Sequence, residues 1–315
     1  MPDAPVVPTV SPDAVAAAYV RIKPHIRYTP VIDLPADAFG LAHGLALKLE
    51  SLQHSGTFKG RGAFHKLLVS TPGPAGVIAA SGGNHGAAVA YAARALGHRA
   101  EIFVPTISAP AKVERLRSYG AVVHQVGAVY AEARAASEAR AQETGALTIA
   151  AYDDPEVFVG AGTTALEFEM QTRFDTLVVA VGGGGLIAGC ALWCGARVKV
   201  IAVETEGTPS LHAALAAGEP VDVAVSGLAA DALGATRIGA PNFEIARNRV
   251  ARSVLVTDDA VRDAQRALWR ELRVMAEPAG ATGLAALLSG AYKPEAGEKV
   301  GVLVCGANLD PASVA

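Results

Sequence analysis

The chain has 315 residues, 51% of them hydrophobic and 18% charged, with 27 basic against 30 acidic side chains for a net charge of −3. That balance excludes a disordered, highly charged tail and offers no basic excess for nucleic acid; at roughly 150 residues per domain the length gives about two domains and a large core. Aromatics are only 5%, so Ala, Val, Leu and Ile must build that core, and 33 Gly with 18 Pro imply many turns and close backbone approaches.

Apolar runs of strand length alternate with helix-period segments along the chain. Residues 45–50 read as a strand and 57–69 as a helix; 76–80 is a second strand, followed by a helix over 85–96. Next come a strand at 100–104, a helix capped by Ser108 and closed by Gly120, and a strand at 121–126. A long Ala/Arg/Glu helix over 129–143 ends at Gly145, its alternating Glu132, Arg134, Glu138 and Arg140 facing solvent, and 147–150 is again extended. Later strands fall at 176–181, 198–203, 253–256 and 300–304, while 219–252, rich in Gly, Ala and Asp, reads as a long irregular segment beside a site or interface. The alternation predicts an α/β fold: mostly parallel sheets covered by helices.

Cys190, Cys194 and Cys305 are too few for a disulfide framework, and the CxxxC pair lacks a second ligand pair, so it reads as two small apolar helix residues. Residues 1–10 show no basic segment before an apolar run, and no uncharged stretch approaches the roughly 18 residues of a membrane span. A protein of a reducing compartment is expected, most simply the cytoplasm.

Three segments could carry chemistry. Gly182, Gly183, Gly184 and Gly185, followed by Leu186, lie between a run of β-formers and a helix. Four glycines there expose N–H groups beside a helix N-terminus, a cradle suited to phosphate. The spacing is not GxGxxG and no Walker lysine follows, so neither a dinucleotide nor a nucleoside triphosphate is indicated. Ser81-Gly82-Gly83-Asn84-His85-Gly86 makes the same kind of junction; it could hold a carboxylate or a phenolic oxygen, or be a capping Ser and an Asn at positive φ. Lys59, in Ser55-Gly56-Thr57-Phe58-Lys59-Gly60-Arg61-Gly62, sits near a helix N-terminus among small residues, where its neutral amine is favoured, as Schiff-base chemistry requires. Arg61 is either an electrostatic neighbour of Lys59 or solvated, and His54 and His65 flank the segment without metal spacing.

A phosphate cradle, an oxygen-binding loop and a Schiff-base lysine together suggest pyridoxal phosphate. The ordered motifs SGTFKGRGA, SGGNHG, VGGGGL, EPAGA and CGAN resemble those of the fold type II pyridoxal-phosphate enzymes, tryptophan synthase beta-like in fold, and specifically the threonine/serine dehydratase and serine racemase branch. The resemblance runs from Tyr28-Thr29-Pro30 to Asn308. It implies a large cofactor-binding domain from 1–48 and 151–315, a small domain over 49–150, and a homodimer acting on a small amino acid. Lys59 resembles the lysine that carries the cofactor and Phe58 the residue beside the ring. Asn84 resembles the asparagine on the phenolic oxygen; Ser81, Gly82, Gly83, Asn84 and His85 match the turn that receives the substrate carboxylate. Gly182, Gly183, Gly184, Gly185 and Leu186 match the phosphate loop, Cys305 the group against the pyridine nitrogen, and Glu277 a glutamate near the ring.

The implied reaction is dehydration and deamination of L-threonine or L-serine to 2-oxobutyrate or pyruvate plus ammonia, with serine racemase or 3-hydroxyaspartate dehydratase as alternatives. Outside enzymes altogether, the same fold could serve as a non-catalytic phosphate-ligand sensor, against which Lys59 argues. Racemases of the branch carry a serine where this chain has Gly82, which favours elimination. Tyr152-Asp153-Asp154-Pro155 resembles the FDDP segment of dehydratases, but Ala150-Ala151 stands where His-Pro precedes it in relatives. Relatives bind a cation through a glutamate at Glu204 and, in some, an aspartate six residues on, where this chain has Ser210. The implied divalent site is therefore incomplete, with a monovalent ion or a satisfied strand-end carboxylate as the alternatives.

Overall fold

The structure is a computed structural model describing residues 10–314. The expectation that no leader precedes the fold rests mainly on residues 1–9, outside the described residues. In chain order the first elements are α1 (Pro12–Ile22), β1 (Val31–Leu34), β2 (Leu45–Leu49), α2 (Lys59–Ser70), β3 (Val77–Ala80) and α3 (Asn84–Ala95). β4 (Ala100–Val104), α4 (Pro110–Ser118), β5 (Val122–Gln125), α5 (Tyr130–Thr144) and β6 (Leu147–Thr148) follow. Then come α6 (Pro155–Gln171), β7 (Thr176–Ala180), α7 (Gly185–Cys194), β8 (Lys199–Thr205), α8 (Ser210–Ala217) and α9 (Ala230–Leu233). The last are α10 (Ala240–Arg249), β9 (Val250–Val256), α11 (Asp258–Leu272), α12 (Pro278–Leu288) and β10 (Val300–Val304).

Two sheets result. One has six strands in the order β1-β2-β10-β7-β8-β9, the other four in the order β5-β4-β3-β6. Every pairing is parallel except β1 with β2, where Val31 opposes Lys48 at the sheet edge. β2, β4, β7 and β10 are buried along their whole length, as strands covered on both faces are, which explains their largely apolar sequences; the charges they do carry, Lys48 on β2 and Glu101 on β4, are buried with partners. Ala-rich α3 and α7 lie close against the sheets, the physical counterpart of the low aromatic content.

Several local expectations shift. Ser108 does not cap α4: Ala109 is the cap residue and Pro110 starts the helix, so the fixed φ of proline sets the boundary. α2 begins at Lys59 rather than 57 because Thr57 stays extended to bridge Gly306, its hydroxyl accepting from the Lys59 N–H at 3.3 Å. The supposedly irregular 219–252 contains α9 and the whole of α10, whose buried Phe243 and Ile245 anchor it against the core around α7. Cys190 and Cys194 are buried on α7 as apolar residues. No helix among the described residues is long and apolar enough to cross a membrane.

Arg61 is fully buried, neither solvated nor a partner of Lys59. Its guanidinium donates to Glu50 at 2.7 and 2.8 Å and to Glu167 at 2.8 and 3.2 Å. Lys48 donates to the same Glu167 at 2.7 Å. Two cations and two carboxylates make a neutral cluster that ties β2, α2 and α6 together, so each charge removed from water has a partner. His65 is likewise interior, with Nδ1 2.7 Å from the Glu156 carbonyl, whereas His54 stacks on Tyr91 with ring centroids 4.7 Å apart.

Candidate active site

Parallel α/β sheets place ligands beyond the carboxyl ends of their strands. The four segments singled out lie there. Lys59 follows β2 at the start of α2, the 81–86 turn follows β3, the glycines follow β7, and Cys305 follows β10. Phe58, Lys59, Asn84, Gly182, Gly183, Gly184, Gly185, Leu186, Glu277 and Cys305 line one cavity. A wider cleft, of about 410 Å³, opens at the opposite ends of β2 and β10 and contains none of them.

The Lys59 amine donates to the Ala151 carbonyl at 2.8 Å and lies 5.3 Å from the Phe58 ring centre. Burial lowers its pKa to about 8, against a smaller opposing pull from Cys305 and Glu277. A carbonyl oxygen is its hydrogen-bond acceptor and no carboxylate among the described residues pairs with it directly, so desolvation prevails. The amine therefore loses its proton far more readily than an ordinary lysine, although most of it stays protonated at pH 7.

Gly184 has φ +92°, a left-handed conformation that glycine adopts without steric cost, and caps α7. A Cβ on Gly183 would lie 2.3 Å from the Tyr152 ring, so only a bare backbone fits there. The first N–H groups of α7 have no intrahelical acceptor and add the positive end of its dipole. Tyr152 and Leu233 stand against Gly183 and Gly182 and wall the turn.

Ser81 does not cap α3: Gly83 is the cap residue, and the Ser81 hydroxyl accepts instead from the Gly83 N–H at 3.3 Å. Asn84 takes a helical rather than a positive φ, as the first residue of α3. Its Nδ2 donates to Glu277 Oε1 at 2.7 Å and its Oδ1 accepts from Asn308 Nδ2 at 2.7 Å, so both ends of the amide are held. Burial raises the Glu277 carboxyl to about 7. His85 is buried, its Nε2 2.9 Å from the Ile149 carbonyl, and burial followed by the nearby Lys59 lowers its pKa to about 4, leaving it neutral. The Cys305 thiol donates to the Ala279 carbonyl at 3.4 Å and burial pushes its pKa up, so it too is neutral.

Glu204 is 0% exposed at the end of β8 and is joined to the glycine turn through Ser210, whose hydroxyl lies 2.8 Å from the Gly182 carbonyl. Its carboxylate accepts from the N–H groups of Leu211 and His212 at 2.8 and 2.7 Å and from the Ser210 hydroxyl at 3.3 Å, capping α8. Among the described residues no group of three or more His, Cys, Asp or Glu is placed to hold a metal.

Sequence reasoning gave no role to Asn308, which holds Asn84, to the Ala151 carbonyl, or to Tyr152 as the wall against the glycines. The CGAN and YDDP motifs marked two of these positions, but only the contacts assign them work.

The residues fit a phosphorylated aldehyde: a buried amine of lowered pKa lines the same cavity as a cradle that a single Cβ would fill. A family model described as "Pyridoxal-phosphate dependent enzyme" matches residues 22–306. The chain is 37% identical to the phenylserine dehydratase of Ralstonia pickettii over 319 residues, covering 98% of this chain and 96% of that one. It is also 37% identical to the L-threonine ammonia-lyase of Geobacter sulfurreducens, over 93% of this chain and 74% of the relative. The solved structure of maize serine racemase superposes with a TM-score of 0.91 at 32% identity, covering 97% of this chain and 95% of that one. The chain thus belongs to the pyridoxal-phosphate dependent enzymes, with the fold type II architecture, and its cofactor is pyridoxal 5'-phosphate.

Proposed function

We propose that the protein removes water and then ammonia from β-hydroxy-α-amino acids, L-threonine and L-serine among them, releasing 2-oxobutyrate or pyruvate. The observation that carries this reading is the Lys59 amine, desolvated to a pKa of about 8 and held by the Ala151 carbonyl alone. Lys59 would carry the cofactor, Gly182, Gly183, Gly184, Gly185 and Leu186 would bind its phosphate, Phe58 would pack beside its ring, Asn84 would reach its phenolic oxygen, and Cys305 would face its ring nitrogen. When bound, the cofactor withdraws electrons from the substrate α-carbon.

The chain's own residues do the rest. The 81–85 turn presents backbone N–H groups and the Ser81 hydroxyl to the substrate carboxylate. Lys59, half of it unprotonated at pH 8, accepts the α-proton, and the β-hydroxyl departs with one proton as water, so that the α-hydrogen and the hydroxyl are the two groups lost. The enamine that is released becomes an imine, and water replaces its nitrogen to give a 2-oxo acid and ammonia. A neutral Cys305 thiol supplies no charge to the ring nitrogen, which suits rapid elimination over long-lived carbanions. Position 82 is glycine and offers no acid for the opposite face, which favours elimination over the racemase alternative. If Glu204 holds a monovalent cation with nearby carbonyls, the ion acts on α8 rather than at the amine.

The same reading carries a homodimer in the cytoplasm and a division into 1–48 with 151–315 and 49–150. In support of the division, the four-stranded sheet draws all its strands from residues 77–148. The test is release of 2-oxo acid from separate stereoisomers of serine, threonine and 3-hydroxyaspartate, with borohydride trapping of the cofactor. Elimination from L-threonine or L-serine and label on Lys59 are expected. Racemisation of L-serine exceeding elimination would overturn the reading, as would a colourless protein that takes up no cofactor.

A further inference from the structure

Asn242 lies in the first turn of α10, outside the lining of the cofactor cavity, and is 0% exposed. Its Nδ2 donates to the Gly183 carbonyl at 2.9 Å and to the Tyr152 carbonyl at 3.0 Å. We propose that Asn242 is a positioning residue for the cofactor: by holding the Gly183 carbonyl on the α10 side of the glycine turn, it aims the Gly184 N–H at the phosphate. This rests on the assignment of the phosphate to residues 182–185 and names the side chain that fixes their geometry.

A trans peptide unit points its C=O and its N–H in opposite directions, and no peptide bond among the described residues is cis. The Gly183 carbonyl accepts from two donors of α10 and its cap, Asn242 Nδ2 and the Gly239 N–H at 3.2 Å. Neither residue lines the cavity, whereas Gly183 and Gly184 do. The N–H of the same unit, on Gly184, is therefore directed away from α10 and into the cavity. Gly184 is buried, and among the described residues its N–H has no acceptor. Folded chains rarely leave a buried N–H unpaired, and an anion in the cavity would pair this one.

The donor end of the Asn242 amide is the end the fold uses. Reversing the amide would set Oδ1 against two carbonyl oxygens. Oδ1 itself is buried and has no partner. A leucine has the same branched shape without an orphan acceptor, so packing alone does not call for an amide here. Two glycines let the side chain come this close: a Cβ on Gly184 would lie 2.9 Å from the Asn242 Cβ, and one on Gly239 2.8 Å from Nδ2.

Consecutive glycines make the turn the least constrained backbone in the molecule, so the peptide unit between Gly183 and Gly184 rotates easily unless it is held. Asn242 holds it from α10. Ser210, on α8, holds the preceding unit through the Gly182 carbonyl at 2.8 Å. The cradle is thus fixed from outside the cavity before any ligand arrives, which lowers the ordering cost of binding.

The test titrates apoprotein of the wild type and of Asn242→Leu with pyridoxal 5'-phosphate and with pyridoxal, which lacks the phosphate. Wild type should prefer the phosphorylated form, and the variant should lose about tenfold or more of that preference, the loss expected for one hydrogen bond to a charged group. Its affinity for pyridoxal and its circular dichroism should stay near wild type. Asn242→Ala, a smaller replacement, carries the same expectation. A folded variant that keeps the full preference would overturn the role of Asn242 and leave the cradle standing. Equal losses for both ligands would also overturn it, by making Asn242 a support of the fold alone. A wild type with no preference for the phosphorylated form would sink the cradle and the proposal with it. Hydrogen exchange on the wild type needs no variant to fold: the Gly184 N–H should exchange more slowly with pyridoxal 5'-phosphate bound than with pyridoxal bound, and equal rates would overturn the aim of that N–H.

Discussion

The first turn of helix α2 carries two cations, two residues apart, in opposite electrostatic situations. Arg61 is locked between Glu50 and Glu167, and those carboxylates hold its pKa above the ordinary range although burial pulls the other way. Lys59 is desolvated too, but its acceptor is a backbone carbonyl and its pKa falls to about 8. One helix thus presents a permanent charge to the core and a readily deprotonated amine to the site. Partners, rather than burial alone, decide whether a buried cation braces the fold or reacts.

If that contrast holds, Lys59→Ala gives the largest effect. Acting only as a proton acceptor, the amine is worth about 10²–10⁴-fold in turnover, and as the group that carries the cofactor its loss should reach at least the upper end. Circular dichroism should stay near wild type and borohydride should trap no cofactor at position 59; normal turnover would remove the amine from the reaction. Arg61→Met should act on stability. It leaves two buried carboxylates with Lys48 as the one remaining cation of the cluster, at a cost of about 3–5 kcal/mol, read from the midpoint of chemical denaturation. An unchanged midpoint would mean the cluster is solvated and the contrast false.

The third prediction concerns pH. Capture of pyridoxal phosphate by the apoprotein needs the unprotonated amine, whose share falls about tenfold per unit below its pKa. With that pKa at about 8, the capture rate should rise steeply from pH 6 to 7 and level off above 9. A rate still climbing tenfold per unit at pH 10 would assign Lys59 an ordinary lysine pKa.

The smallest effect concerns Glu277, whose carboxyl is raised by burial to about 7. Between the ordinary carboxyl range and pH 7 the folded chain keeps a proton that the unfolded chain has released, so this group's contribution to stability falls as pH rises through that window. Glu277→Gln removes the slope. The variant should gain on wild type by something on the order of 1 kcal/mol in going from pH 5 to pH 8, and a gain that shrinks instead would reverse the sign of the shift.

Much of the frame was legible before any coordinates. β4 and β10 fall on the expected residues because a strand covered on both faces is mostly apolar, and the end of α5 falls at Gly145 because its left-handed conformation stops the helix. Misreadings gathered where contacts distant in sequence override local pattern: Thr57 is extended because Gly306 pairs with it, and α10 is a helix because Phe243 and Ile245 reach the core. Arg61 was legible as a charge but not as a buried one, since Glu167 is 106 residues away.

The order of motifs along the chain named the lysine, the glycine turn and the cofactor, because a conformation that excludes Cβ and an amine near a helix start are local properties. How far the pKa of Lys59 falls, and what holds Asn84, were settled by tertiary structure alone. Desolvation, charge pairing and cavity volume are sums over neighbours that the fold assembles from distant parts of the chain.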